Sequence, residues 1–321
     1  MAVNWLRRSV LAAAGVSAAV LLAGCGSSTI ESALKPERFI TFGDSSSDVG
    51  QVGGARYTIN DGSVNNWTQE LANTYGITLT AASAGGTSYA QGNARVLAKP
   101  DAAGNASTPT VAEQMDKFLA VGSFQASDVV VIGAGASDLV TQMAAVTAGT
   151  QTPEQLLNNA QQAGRDLGAQ VIRAVNAGAK YVVLAGSYNL GRSPWAKAID
   201  QEDLLTEASS KFNEALLVSV VDQGNKVLYI DAAYYFNLVT ASPSSYSFEK
   251  ATAETPVCTS VDAGPGIGIG AGQVNAALCT PSTLLPGANA SKYLFADALH
   301  FTPTAHRLFG VYAYDRLHAR W

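Results

Sequence analysis

Four short apolar runs, separated by long stretches of helical pattern, constrain the fold of this chain more than any other feature. Each run is apolar at nearly every position, which is typical of strands that are buried on both faces of a sheet. The runs lie at residues 38–42, 128–132, 181–185 and 226–230. Strands of this kind occur in parallel sheets with helices on both sides, so the runs predict an α/β fold.

Helical patterns fill the intervals between these runs. The stretch 153–176 has a proline at its start and Gly178 just beyond its end, and such residues favour the two ends of a helix. Thr302 and Pro303 predict the start of a helix that continues to about residue 317. Further helices are predicted at residues 66–75, 111–121 and 203–221. This alternation of strands and helices predicts one large domain around a mostly parallel sheet.

The composition excludes several classes of protein. The chain has 321 residues and a formal charge of −5, so we expect no nucleic-acid partner. Three cysteines are too few for a four-thiolate zinc site or an iron–sulfur cluster. The three histidines, His300, His306 and His318, all lie near the C-terminus. A mechanism that uses histidine must therefore take it from this end of the chain.

The N-terminal segment has the pattern of an export signal. Two arginines precede an apolar stretch at residues 10–22, and Leu-Ala-Gly-Cys then ends at Cys25. This sequence resembles the bacterial lipobox, in which cleavage before the cysteine is followed by lipidation of its thiol. The resemblance implies a signal peptide at 1–24, a lipidated tether at 25–37 and attachment to a membrane through Cys25. Because Gly26 stands where an inner-membrane retention signal has aspartate, we expect the outer membrane.

Export also bears on the two remaining cysteines. An exported protein meets an oxidising compartment, so Cys258 and Cys279 are expected to form a disulfide. The glycine-rich stretch 264–272 lies between them and is predicted to be a mobile excursion.

The first predicted strand is followed by the octapeptide Gly-Asp-Ser-Ser-Ser-Asp-Val-Gly, residues 43–50. This octapeptide resembles the GDSL block of the SGNH hydrolases, in which the serine of Gly-Asp-Ser is the nucleophile. The resemblance implies a flavodoxin-like three-layer α/β/α sandwich over residues 38–321, with Ser45 as the nucleophile. A serine between a strand and a helix suits this role if a base takes its proton and its backbone N–H faces the oxyanion.

The base for Ser45 is expected among the C-terminal histidines. Asp297-Ala298-Leu299-His300 resembles the D-x-x-H block of the same family. At this spacing Asp297 can hold the Nδ1–H of His300 while Nε2 faces the serine. His306 and His318 fall on the predicted C-terminal helix, where packed or solvated positions are expected. Ser, Asp and His also occur in this order in α/β-hydrolases, but the chain contains no G-x-S-x-G motif.

Two more blocks are expected to complete an oxyanion hole with the N–H of Ser45. Residues 88–96 resemble the family segment N-Y-A-x-G-G-A-R-V, which implies that the N–H of Gly92 is a donor. Asn93 replaces the second glycine, so a donor one residue later stays open. Ser137 stands where the family block G-x-N-D-L has asparagine. Ser137 is expected to donate a hydrogen bond to the oxyanion, directly or through a water, or Ser46 is expected to assist. Loss of an oxyanion donor lowers turnover by about 10²–10³-fold.

These blocks imply a serine ester hydrolase, an esterase or lipase that acts through an acyl-enzyme outside the cytoplasm. No cofactor or metal is expected, the substrate is a small-molecule or lipid ester, and the protein is expected to be a monomer. An acyltransferase with the same triad is an alternative, because an alcohol can replace water in the second step. A surface lipoprotein that binds lipid or glycan through a decayed site is another, and Ser137 motivates it. The intact set Ser45, Asp297 and His300 argues against that alternative.

Overall fold

Four parallel strands form the central sheet of the computed structural model. They lie side by side in chain order as β1 (Arg38–Gly43), β2 (Asp128–Gly133), β3 (Tyr181–Ala185) and β4 (Val227–Ile230). Each strand begins and ends within one residue of its predicted run. All of β2 is buried, and β1 and β3 are buried except at their first residues. Burial on both faces explains why these runs are continuously apolar.

The structure describes residues 32–64, 66–252 and 254–321. The predicted signal peptide and Cys25 lie outside the described residues. Residues Leu34–Trp321 form one compact unit. No helix in the described ranges has the length and apolar character that a membrane span requires.

Eight α-helices surround the sheet in the part of the chain that the structure describes. They are α1 (Trp67–Asn73), α2 (Val111–Val121), α3 (Ala136–Thr147), α4 (Pro153–Asn176), α5 (Pro194–Ala198), α6 (Glu202–Val220), α7 (Ala232–Ala241) and α8 (Pro303–Arg320). The five predicted helices are all present, with α2 and α4 at the predicted bounds. Three helices, α3, α5 and α7, were not predicted.

The helices cover both faces of the sheet. Phe39 and Phe42 lie three positions apart on β1, so their side chains point to opposite faces. The ring of Phe39 packs on Tyr75, just beyond α1, with 5.8 Å between centroids, and Tyr75 in turn packs on Tyr314 of α8. The ring of Phe42 packs on Phe118 of α2, 5.9 Å away. The predicted three-layer α/β/α sandwich is therefore confirmed.

Two glycines allow helices of the same layer to approach closely. A Cβ atom on Gly164 of α4 would lie 2.1 Å from the carbonyl oxygen of Phe212 in α6. A Cβ atom on Gly310 of α8 would lie 2.9 Å from the carbonyl oxygen of Trp67 in α1. Both distances are shorter than van der Waals contact, so a larger side chain at either position would separate the helices.

Residues 87–89 extend the sheet on the other side of β1. The N–H of Thr41 donates to the carbonyl of Thr87 (3.1 Å), and the N–H of Tyr89 donates to the carbonyl of Thr41 (2.7 Å). The chain therefore leaves β1 towards one side and returns on the other to form β2. In open α/β sheets, ligands bind at the carboxyl ends of the strands where the connections diverge in this way. Ser45 follows β1 at this point.

Candidate active site

A set of hydrogen bonds fixes the turn that presents Ser45. The side chain of Gln114 accepts the N–H of Gly43 (2.8 Å) and donates to its carbonyl (2.9 Å), which fixes the end of β1. The buried carboxylate of Asp44 accepts the N–H and hydroxyl of Ser46 and the N–H of Gly135, at 2.9–3.1 Å. Burial raises the pKa of Asp44, and these hydrogen bonds oppose that effect. Ser45 is 5% exposed and lines a cavity.

Asp297 and His300 form a close pair before α8. The Nδ1 atom of His300 lies 2.8 Å from Oδ2 of Asp297 and 3.0 Å from Oδ1. Because a carboxylate only accepts, this contact places the proton of neutral His300 on Nδ1 and leaves Nε2 as an acceptor. The N–H groups of Leu299 and His300 donate to Oδ1 of Asp297 at 2.8 and 2.7 Å. The orientation of the carboxylate is therefore fixed by its own loop.

Ser45 and His300 line the same cavity, although 254 residues separate them in the chain. The cavity has an empty volume of about 770 Å³, including its open mouth. Its walls are mostly apolar and include Trp67, Val140, Phe236, Phe301 and Phe309. The residues that the sequence predicts as nucleophile and base therefore line one cavity whose walls are mostly apolar.

The loop at residues 91–94 approaches Ser45 from the side. The N–H of Asn93 donates to Oγ of Ser45 at 2.8 Å, and Asn93 lines the cavity. The N–H of Gly92, the donor proposed from the sequence, points instead to Oδ2 of Asp48, also at 2.8 Å. Of the two positions that the sequence left open, the second has its N–H directed at the serine.

The comparisons with known proteins identify the family. A family model described as GDSL-like Lipase/Acylhydrolase matches residues 39–312, which is most of the chain. The chain belongs to this family. Membership of this family indicates a hydrolase. The comparison with curated proteins found no match.

Two solved crystal structures are similar to this GDSL-family chain over most of its length. They cover 89% and 88% of it and 98% of their own chains, with TM-scores of 0.46 and 0.40. The sequence identities are 15% and 14%. Similarity at this level carries no argument about function.

Asp48, within the GDSL octapeptide, connects the serine turn to the neighbouring loop. Its Oδ1 accepts the N–H groups of Gly50 and Gln51 at 2.8 and 2.7 Å, while Oδ2 accepts Gly92. Burial raises the pKa of Asp48 to about 6, and these N–H donors oppose the rise. The sequence did not indicate this role, because the bond to Gly92 joins segments that are far apart in the chain.

Tyr57 lies between His300 and Asn93 and contacts both. Its ring centroid lies 5.0 Å from that of His300, and its hydroxyl accepts the Nδ2 group of Asn93 at 3.3 Å. A Cβ atom on Gly92 would lie 2.0 Å from the Tyr57 ring, so a side chain there would displace the ring. Tyr57 thus contacts both His300 and the 91–94 loop. The sequence places Tyr57 in a loop, residues 57–65, on which the choice of substrate could depend, but does not indicate its contact with His300.

The disulfide expected from the sequence is present between Cys258 and Cys279. The loop that it closes supports the acidic partner of His300, because the N–H of Ala276 donates to Oδ2 of Asp297 at 2.8 Å. At the other end of the loop, the N–H of Cys258 donates to the carbonyl of Ala296 at 3.0 Å. The disulfide loop is therefore attached directly beside Asp297.

Ser137, which stands where the family usually has asparagine, is the second residue of α3 and lines the cavity. The next residue, Asp138, accepts the N–H of Val96 (2.9 Å) and pairs with Arg95 (3.3 Å). Burial raises the pKa of Asp138 to about 6, against the effect of Arg95. Asp138 therefore ties the start of α3 to the 88–96 segment. No group of histidine, cysteine or acidic residues in the described ranges is arranged to hold a metal ion.

The other two histidines differ from one another. His318 is exposed in the last turn of α8, where its ring stacks on Tyr314. His306 is buried in the first half of α8 and lines the cavity. Burial lowers the pKa of His306 to about 3, and the electrostatic effect of His300 lowers it further. A hydrogen bond to the backbone of Tyr57 acts in the opposite direction. His306 is therefore neutral in the folded protein.

This neutral state predicts a loss of stability in acid. Below pH 6.5 the unfolded chain protonates His306, whereas the folded chain does so only near pH 3, so protonation favours unfolding as the pH falls through this window. Relative to a His306→Gln variant, the wild type should lose about 1.4 kcal/mol of unfolding free energy per pH unit. Urea denaturation of both proteins between pH 7 and 4 measures the difference, and parallel stability curves would contradict it. Asp48 and Asp138 are present in both proteins, so their contributions to the pH dependence of stability cancel in the comparison.

Proposed function

We propose that this protein is a carboxylic ester hydrolase in which Ser45 is the nucleophile, His300 the general base and Asp297 the residue that orients His300. One observation carries the proposal: Ser45 and His300, distant in sequence, line one cavity with apolar walls, and the ring of His300 is paired with Asp297. A neutral imidazole with its proton on Nδ1 has the tautomer that a base for serine requires. Membership of the lipase and acylhydrolase family supports the same reaction class.

The reaction begins with attack of Ser45 Oγ on the ester carbonyl carbon. The hydroxyl proton passes to Nε2 of His300, and the carbonyl oxygen becomes an oxyanion. His300 then gives this proton to the leaving alkoxide, which departs as an alcohol and leaves an acyl-enzyme. Water then attacks the acyl carbon and gives a proton to His300. The bond to Ser45 Oγ breaks as His300 returns that proton to the serine, and the carboxylic acid is released. Asp297 stabilises the imidazolium that forms in each step.

Three groups are assigned to the oxyanion. The N–H of Asn93, already directed at Oγ of Ser45, and the N–H of Ser45 supply two backbone donors. We assign Asn93 this role in place of Gly92, because the N–H of Gly92 is bonded to Asp48. Ser137 faces the same cavity from the start of α3, and its hydroxyl is the third candidate donor.

Labelling of the nucleophile tests this proposal. The purified protein is treated with a fluorophosphonate, which phosphonylates an activated serine, and the adduct is mapped by mass spectrometry after digestion. We expect the adduct on Ser45 and protection from labelling by a p-nitrophenyl ester. Analysis of the products in the presence of an added alcohol then separates hydrolysis, which releases the acid, from acyl transfer, which yields a new ester. Label on another residue, or no label, would contradict the proposal.

We further propose that the protein is exported and anchored to a membrane through lipid on Cys25, with the outer membrane as its destination. The Leu-Ala-Gly-Cys sequence after an apolar segment supports this, and so does the disulfide between Cys258 and Cys279, since disulfides persist in oxidising compartments. A Cys25→Ala variant should move from the membrane fraction to the soluble fraction and lose incorporation of labelled palmitate. Retention of the variant in the membrane fraction would contradict lipid anchoring.

A further inference from the structure

The glycine-rich stretch between the two cysteines is the tip of a short hairpin. The N–H of Asp262 donates to the carbonyl of Gln273, and the N–H of Asn275 donates to that of Ser260, both at 2.9 Å. The carboxylate of Asp262 also accepts the N–H of Gly264 and the Nδ2 group of Asn275, both at 2.8 Å. The stretch was expected to be a mobile excursion, but these bonds give it a defined base.

The hairpin tip inserts one side chain into the cavity beside Ser45. Ile267 is only 2% exposed and lines the cavity. It lies between two glycines with positive φ angles, Gly266 (+36°) and Gly268 (+83°), a backbone conformation that favours glycine. A Cβ atom on Gly268 would lie 2.4 Å from the carbonyl oxygen of Ala102. The glycines therefore allow the tip to turn tightly and direct Ile267 inwards.

A side chain of the 91–94 loop forms a hydrogen bond to this tip. The Nδ2 group of Asn93 donates to the carbonyl of Gly266 at 2.8 Å. Asn93 has a φ angle of +61°, a conformation that asparagine tolerates better than most residues with a side chain. The same residue thus directs its backbone N–H at Ser45 and holds Ile267 in place through its side chain.

From these contacts we infer that Ile267 is a specificity-determining residue, which limits the size of the apolar group that the cavity accepts beside Ser45. This inference rests on the proposed ester hydrolysis and names the part of the chain that selects among esters. A β-branched side chain has few rotamers, so Ile267 forms a stiff wall. When two substrates differ by one methylene, an apolar pocket discriminates between them by about 10–200-fold in kcat/KM. Shortening this wall is therefore expected to shift selectivity strongly.

The test compares the full-length wild type with an Ile267→Ala variant on two series of esters. The first series is p-nitrophenyl acetate, butyrate, octanoate and dodecanoate, and the second is acetates of alcohols of increasing length. In one series, the ratio of kcat/KM for the long ester to that for the short ester should rise by roughly tenfold or more. A shift in the first series assigns Ile267 to the acyl side, and one in the second assigns it to the alcohol side.

Three further variants complete the test. Ile269→Ala removes the same side chain from the same tip at a half-buried position that does not line the cavity, and it should leave both ratios unchanged. Ile267→Phe should shift selectivity in the opposite direction, which keeps the inference testable if the alanine variant does not fold. Asn93→Gly keeps the backbone donor but removes the bond to Gly266, so it should shift selectivity in the direction of Ile267→Ala.

The outcomes separate this inference from the proposed function. If the wild type hydrolyses esters and the Ile267 variants show unchanged ratios in both series, the inference is wrong and the proposed function stands. Equal shifts in the Ile267→Ala and Ile269→Ala variants would also overturn it, since the effect would belong to the loop as a whole. If the wild type neither reacts with a fluorophosphonate nor hydrolyses any ester, the proposed function fails and the inference fails with it.

Discussion

Replacement of Ser45 by alanine is expected to lower kcat for p-nitrophenyl butyrate by about 10⁶-fold, the loss seen when a nucleophile that acts as one unit with its base is removed. The variant keeps the cavity, the Asp297–His300 pair and the backbone donors, so a small residual rate above that in water should remain. Because the hydroxyl of Ser45 accepts the buried N–H of Asn93, which loses this partner in the variant, the free energy of unfolding should also fall by about 1–3 kcal/mol. The fluorophosphonate adduct should be lost together with the activity.

Ser46 provides a matched control for this experiment. It has the same side chain one position along the turn and also lines the cavity, but its hydroxyl donates to Asp44 at 2.9 Å. A Ser46→Ala variant should therefore keep its fluorophosphonate adduct and most of its activity. Full activity in Ser45→Ala, or transfer of the label to Ser46 in the wild type, would refute the assignment of the nucleophile.

The strands were predicted to within one residue because their burial leaves a continuous apolar pattern that most helices of this chain do not share. The three unpredicted helices carry weaker signals. α3 begins after Gly135 without a side-chain cap, and α5 has only five residues. α7 is apolar along most of its length, so no polar face marks it as a helix. α5 and α7 do begin at capping residues, Ser193 and Asp231, but a cap alone does not predict a helix.

The site was predictable where one short segment carries the chemistry. Ser45 lies in a recognisable octapeptide, and Asp297 and His300 lie three positions apart, so their spacing is visible in the sequence. The contacts of Tyr57 with His300 and of Ile267 with the cavity instead join loops that are distant in the chain. No local pattern indicates such contacts. The glycines beside Ile267 were visible, but a glycine-rich stretch alone does not distinguish a mobile loop from one that turns tightly.

The sequence also could not decide whether the backbone N–H of Gly92 or that of Asn93 faces Ser45. Either residue can supply a backbone N–H, since every residue except proline has one. Which N–H faces the serine depends on Asp48, whose carboxylate binds the N–H of Gly92 and leaves that of Asn93 for Ser45. A motif can therefore indicate the loop that holds the oxyanion donor, while a distant side chain selects the donor.

Replacement of Asp297 by asparagine is expected to lower kcat by about 10⁴-fold, because an amide allows the wrong tautomer of His300. It should also destabilise the fold. The two carboxylate oxygens accept the N–H groups of Ala276, Leu299 and His300 besides the His300 ring, all at 2.7–3.0 Å. The amide nitrogen of asparagine cannot accept, so at least one buried donor loses its partner, at a cost of about 1–3 kcal/mol.

Asp138→Asn is the matched control that separates these two effects. Asp138 is also buried, and its carboxylate accepts hydrogen bonds from the N–H of Val96 and the guanidinium of Arg95, whereas that of Asp297 contacts the His300 ring. Both variants should lose unfolding free energy in urea, whereas only Asp297→Asn should lose kcat by several orders of magnitude. If Asp138→Asn lost as much kcat as Asp297→Asn, the decrease would reflect general damage to the site. Orientation of His300 by Asp297 would then have no kinetic support.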